Sequence, residues 1–342
     1  MTSTVAKSPS AITQQNPPAI AATPAAAAKP KPDARYIALR NFAISISVLN
    51  IFGYTMLGFE QPWLWPILAV ITGYTTEMIF ETISAWVYQR APRYRGNGLR
   101  GLYESLLPAH ITALAVSMLL YCNNQFWPVI FGIVVGVGAK HVLQAPINGR
   151  MRHFMNPSNF GITAVLLAFS QWCSIAPPYQ FSENANTYFR IMIPLVIATA
   201  GTVINAMLTR KVPLIMGWMG GFFIQAFVRH WIWHVSLFSA LGAMTGIAFV
   251  LFTNYMITDP GTTPFRARNQ FMFGSSVAFV YAVMMQLNVV YTLFFATTAV
   301  CAIRGSGWWV AHFVAKAKQR RAAATETQST STGAEKVVAG SV

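Results

Sequence analysis

The amino-acid sequence predicts an all-α integral membrane protein with about ten transmembrane helices and both termini in the cytoplasm. Three observations lead there. Of 342 residues, 54% are hydrophobic and only 10% are charged, against about 25% charged in a soluble domain. Apolar runs of bilayer length, about 18 residues or more, recur along the chain. Lysine and arginine collect in every second connection between those runs. The short alternating segments of a β-barrel do not occur in the pattern.

Taken in order, residues 1–34 are rich in Ala, Pro, Ser and Thr and lack a charged-then-apolar pattern, so they read as a disordered tail. A polytopic membrane domain covers 35–315, and a basic, then low-complexity tail covers 316–342. The expected spans are 36–57, 63–88, 102–121, 126–143, 157–175, 189–209, 214–231, 235–257, 271–287 and 289–310. Connections such as 58–62 and 210–213 are short, which predicts antiparallel neighbours. Two sets of five spans in opposite orientation permit two inverted halves, though no internal sequence match supports them.

The charges sort by side. One side receives Arg90, Arg93, Arg95, Arg100, Lys140, Arg150, Arg152, Arg210, Lys211, Arg266 and Arg268, and then the basic run from Lys316 to Arg321. The other receives only Arg190 and Arg229 out of 24 lysines and arginines. The positive-inside rule makes the first side cytoplasmic, in a bacterial-type inner membrane crossed many times. This asymmetry also accounts for the net charge of +15 and the sequence pI near 10.1 without a nucleic-acid partner. Trp63, Trp65, Trp127, Trp172, Trp231 and Trp233 fall at the expected outer ends, as an interfacial belt would.

Polar groups then stand out against the apolar background. Arg152-His153-Phe154-Met155-Asn156-Pro157-Ser158-Asn159-Phe160-Gly161 follows a basic connection that begins at Lys140-His141. Asn156 and Ser158 can bond free backbone N–H groups around Pro157, and Gly161 lets a backbone or a flat ligand approach. Such a helix start suits an anion or cofactor, or is simply a well-capped helix under a basic loop. Thr258-Asp259-Pro260-Gly261-Thr262-Thr263-Pro264 makes a second irregular polar element on the same side. Backbone of that kind is tolerated at membrane depth where it lines an enclosed cavity. Glu77 and Glu81 share one face of the second span, and Glu104 opens the next. They line an ion or proton path, or they pair with Arg90, Arg100 or Lys140.

Other chemistry is disfavoured. Cys122, Cys173 and Cys301 are widely spaced and form no C-x-x-C pair, which argues against zinc or an iron–sulfur cluster. His230 and His234 have ligand spacing but sit among tryptophans without a third ligand, and so read as interfacial packing. His110 lacks a second deep histidine to complete a haem site, because His141 lies at an inner end. No phosphate loop, dinucleotide fingerprint or nucleophile elbow is present.

In order and spacing, the Arg152–Gly161 stretch, the Thr258–Pro264 segment and Thr76-Glu77-Met78-Ile79-Phe80-Glu81 resemble the motifs of the NQR2/RnfD family. That family supplies membrane subunits to the sodium-pumping NADH:quinone reductase and to the Rnf complex. The resemblance covers about residues 36–310. It implies a membrane electron-transfer subunit that holds flavin in its helix bundle, works with other redox subunits, has access to quinone and couples to ion movement. It points to Asn156, Ser158, Asn159, Asp259, Thr262 and Arg152 as cofactor-binding residues. Family members attach FMN to a threonine in a Ser/Asp-Gly-Ala-Thr/Ser motif. Here Ser182-Glu183-Asn184-Ala185-Asn186-Thr187 occupies about that place without the glycine or the Ala-Thr pair, and Gly201-Thr202 is no better. The expectation is therefore noncovalent flavin, riboflavin or FMN, and no covalent FMN threonine. The short Asn-Pro form and the compact outer loop look more like divergent relatives, some of which are encoded in enediyne-type biosynthetic clusters. A transporter of a small metabolite and a membrane scaffold for such a pathway are the rival readings.

Overall fold

The computed structural model describes residues 34–339, apart from 97, 148, 182 and 183. The tail expected over 1–34 therefore lies outside the described residues but for its last position, and so do Ser182 and Glu183 of the motif compared above.

Among the described residues, the regular structure is helical apart from two small antiparallel ribbons. The helices are α1 (Ala34–Phe52), α2 (Trp65–Val87), α3 (Gly98–Leu119), α4 (Trp127–Val142), α5 (Pro157–Ala168) and α6 (Thr187–Val203). They continue with α7 (Val212–Trp233), α8 (Leu237–Gly242), α9 (Ile247–Leu251), α10 (Ala267–Gln286) and α11 (Thr292–Ala339). Three of them run on into a wider π-helical turn: α1 into Gly53–Leu57, α6 into Ile204–Leu208, and α9 into Phe252–Met256. Proline opens α2, α4, α5 and α7, where its missing N–H costs no hydrogen bond. Asn186 caps α6 by accepting from the Phe189 N–H at 3.0 Å.

Among the described residues, four helical segments are long and apolar enough to cross a membrane: Tyr36–Leu57, Gly98–Leu119, Thr187–Leu208 and Val212–Trp233. The bent pair Leu237–Thr245 and Ile247–Met256, turning by 67°, makes a fifth. Each of the ten expected spans overlaps a helix, although 157–175 is helical only to Ala168, and length and composition support four or five crossings among the described residues. The helices α4 and α5 hold 16 and 12 residues, below the roughly 20 that a full crossing needs. The basic segment after Lys316 continues α11 without a break to Ala339.

One apolar core joins most elements, with Ile133, Ile162, Val165, Trp218, Phe222 and Phe252 among its buried members. Helix α4 packs on α5 at very close range, since a Cβ on Gly161 would overlap the Gly132 carbonyl oxygen. Most of the outer-end tryptophans are exposed, Trp63 by 72% and Trp231 by 86%, as a belt requires. Trp65 is the exception. It is buried at the start of α2 against Phe126, with ring centroids 5.3 Å apart, so packing on the core holds the indole inside.

The ribbon β1 (Leu120–Tyr121) with β4 (Ser174–Ile175) brings Cys122 and Cys173 together as buried, free thiols. The second ribbon, β2 (Gln144–Ile147) with β3 (Arg150–His153), carries Arg150 and Arg152 at the basic end.

Candidate functional site

The two polar elements that the sequence singles out meet in space. Asn156 caps α5, its Oδ1 accepting from the Asn159 N–H at 3.0 Å. Its Nδ2 donates to the Met256 carbonyl at 2.7 Å, at the end of the π-helical turn that leads into Asp259. One side chain thus ties the start of α5 to the approach of the Asp-Pro loop. That loop is held from within, because the Asp259 carboxylate accepts from Gly261 N–H at 3.2 Å and Thr262 Oγ1 at 2.8 Å. It is held from outside by Arg304 of α11, which donates to the Thr262 carbonyl at 2.5 Å and lies over the Trp308 and Phe273 rings.

Asn156, Ser158, Asp259, Pro260 and Gly261 line one cavity that holds about 1180 Å³ of unfilled space, its mouth included. Most of the rest of its wall is apolar, with Phe42, Ile46, Ile111, Ala115 and Ile197, and Ser45, Thr112, Lys140 and His153 add polar groups. Ser158 is 8% exposed, and its hydroxyl finds no hydrogen-bond partner among the described residues. An apolar chamber with a few converging polar groups is the usual form of a small-molecule site.

A second, larger chamber, with about 1940 Å³ of unfilled space including its open mouth, adjoins the first, sharing Lys140, His153, Pro260 and Gly261. Its walls carry Arg90, Arg93, Lys140, Arg150, Arg152 and Lys211, against Glu81 as the one lining carboxylate among the described residues. Arg90 holds Glu81 in a two-pronged pair at 2.5 and 3.2 Å, and the Arg93 N–H adds a bond at 2.9 Å. Lys140 pairs with Glu77 at 2.5 Å, where His141 also reaches at 3.3 Å. Arg152 and Lys211 instead both lie over the Phe265 ring, at 5.6 and 5.4 Å from its centroid.

The expected site residues therefore divide. Asn156, Ser158 and Asp259 face the apolar chamber, and Arg152 faces the cationic one. Asn159 points elsewhere, donating to the Phe294 carbonyl at 2.9 Å and Thr298 at 2.7 Å, and so joins α5 to α11. Thr262 supports Asp259 and does not line the cavity. Glu77 and Glu81 are buried and paired, and Glu104 pairs with Arg100 at 2.8 Å at the surface. Glu77 lines neither chamber itself and reaches them through Lys140 and, in the larger one, His141.

The histidines are engaged in packing. His110 bonds Ser47 at 2.7 Å through one ring nitrogen and Tyr74 at 2.9 Å through the other. His230 bonds the Val235 carbonyl at 2.8 Å at the end of α7. Among the described residues no group of three or more His, Cys, Asp or Glu is placed to hold a metal ion.

Sequence reasoning misses Lys211 and Arg304 as site residues. Lys211 is only 2% exposed, and burial pushes its ammonium down to about 8, with Asp259 opposing that shift and Arg304 adding to it. Its position in the four-residue connection Arg210-Lys211-Val212-Pro213 marks it only as one more charge at the basic end. Comparison with protein-family models finds none that matches this chain, and comparison with curated proteins finds no match either.

Proposed function

We propose that this chain is an NQR2/RnfD-like subunit of a membrane electron-transfer system, binding flavin noncovalently in the joined chambers. In this reading it crosses a bacterial-type cytoplasmic membrane ten times, with both termini and the cationic chamber on the cytoplasmic side. It works with other redox subunits, has access to quinone, and is coupled to ion movement. The observation that supports it most is the meeting of the Asn156 and Asp259 elements at one apolar cavity, tied by the Asn156–Met256 hydrogen bond.

The residues present fit such a group. The apolar walls suit a flat ring system, and Ser158 Oγ is an unspent donor and acceptor facing it. Asn156 and Asp259 fix the polar rim, and Arg304 keeps the Asp259 loop in place from behind. Bound flavin supplies one- and two-electron redox chemistry. The chain's part is to hold the ring, exclude water and set the local charge. Ion movement is assigned to the Glu77–Lys140–His141 cluster, since Lys140 borders both chambers. Glu81 and Glu104 sit farther out, in arginine pairs.

The second reading, a metabolite transporter, draws on the three π-helical turns and the 67° bend before α9. Broken helices beside a midplane site are a transporter feature. The readings separate in two measurements. Flavin titration of the purified protein should give saturable binding that Ser158→Ala weakens about fivefold, near 1 kcal/mol for a lost hydrogen bond, and that Asn156→Leu largely removes. Solute flux into proteoliposomes with no redox partner, together with no flavin binding, would establish the transporter instead.

A further inference from the structure

Three cations of the larger chamber have no carboxylate partner within 4 Å among the described residues: Arg150, Arg152 and Lys211. Arg150 and Arg152 are two apart on β3, so they project from the same side of the ribbon. Lys211 is the informative one. A lysine this buried is ordinarily paired, because an ammonium out of water without a counter-charge is costly. Its Nζ donates one hydrogen bond, to the Pro264 carbonyl at 2.7 Å. Of its three donors, two are left without a partner among the described residues. The ammonium lines the chamber and shares the Phe265 ring with Arg152, which holds the two cations on one side chain.

The chamber that holds these cations borders the apolar one, the two sharing His153, Lys140, Pro260 and Gly261. A ligand lying across both must be apolar at one end and anionic at the other. A phosphate monoester carries a charge of about −1.5 to −2 at neutral pH and several acceptor oxygens, which matches a buried lysine and two arginines lining one chamber. We propose that Lys211, Arg152 and Arg150 form a phosphate seat, and that the ligand of the apolar cavity is bound by a phosphate head placed there. For the flavin this rests on the functional reading above and selects the phosphorylated form, FMN, over riboflavin. The same chemistry is offered by the headgroup of an anionic lipid.

The test is equilibrium binding of FMN, riboflavin and phosphatidic acid to the detergent-purified full chain. FMN should bind at least about tenfold more tightly than riboflavin, the gain expected of one charge-assisted contact. Lys211→Met should bring that ratio toward one, and so should Arg152→Gln, whose exposed side chain can be replaced without disturbing the core if the lysine variant fails to fold. Equal affinities for the two flavins, with binding intact, would overturn the seat. If neither flavin binds, the flavin reading falls. The seat then stands only if phosphatidic acid binds in a way that Lys211→Met and Arg152→Gln abolish, and it is overturned if it does not.

Discussion

Lys211 is held where a lysine is expensive, and that gives it a measurable pH signature. Its ammonium titrates near 8 in the folded protein, below the ordinary lysine range, because burial disfavours the charged form. The charged and titratable groups around it are Asp259 from the Asp-Pro loop, Arg304 from α11, and Arg152 and His153 from β3. An anion binds the protonated form, so binding takes up protons above pH 8. Affinity for FMN should hold steady between pH 7 and 8 and fall by up to about tenfold per unit above it. Riboflavin affinity, with no phosphate to sense the charge, should not follow; a parallel fall in both would mean that Lys211 acts on the fold and not on the ligand. At this scale the sequence is uneven. Asn156 and Asp259 are legible because a cap and an Asx turn are local chemistry. Lys211 and Arg304 are not, because each takes its role from a carbonyl far along the chain, at Pro264 and Thr262.

The short helices α4 and α5 are set by their contact with each other. Gly132, Gly136 and Gly161 let the two backbones touch, and α5 can start at Asn156, beside the cavity, because α4 lies so close. Gly161→Val should therefore lower the thermal midpoint by several degrees or more, since neither backbone can retreat from the added methyl groups. Gly220→Ala in α7 is the control. Its Cβ would meet nothing within 4 Å, and alanine favours a helix by about 1 kcal/mol over glycine. An unchanged midpoint for Gly161→Val would show that the α4–α5 contact is looser than described. Gly161 is readable in the sequence as a point of close approach, whereas its partner is not. The same limit applies to Cys122 and Cys173, widely spaced in sequence yet joined by the β1–β4 ribbon. Trp65 departs from its expected place for a related reason: its position along the chain fits a belt, but its indole packs inward on Phe126, a contact from a distant segment.

For the molecule as a whole, composition makes the helical class and its membrane character legible, because apolar length is a local property. The number of crossings is not, since helices such as α4 and α5 fall short of a bilayer and owe their setting to neighbours. The ten-span reading makes a direct topological prediction. A reporter that works only in the cytoplasm should be active when fused at either end of the chain, and inactive when inserted next to Arg190 or at the α7–α8 turn near His234. The central claim is simpler to test. Protein purified from membranes in mild detergent should show the absorption bands of an oxidised flavin. Acid precipitation should then release that flavin to the supernatant, since Thr187 lacks the surroundings of an attachment site. Well-folded protein with no flavin in either supernatant or pellet would contradict the account.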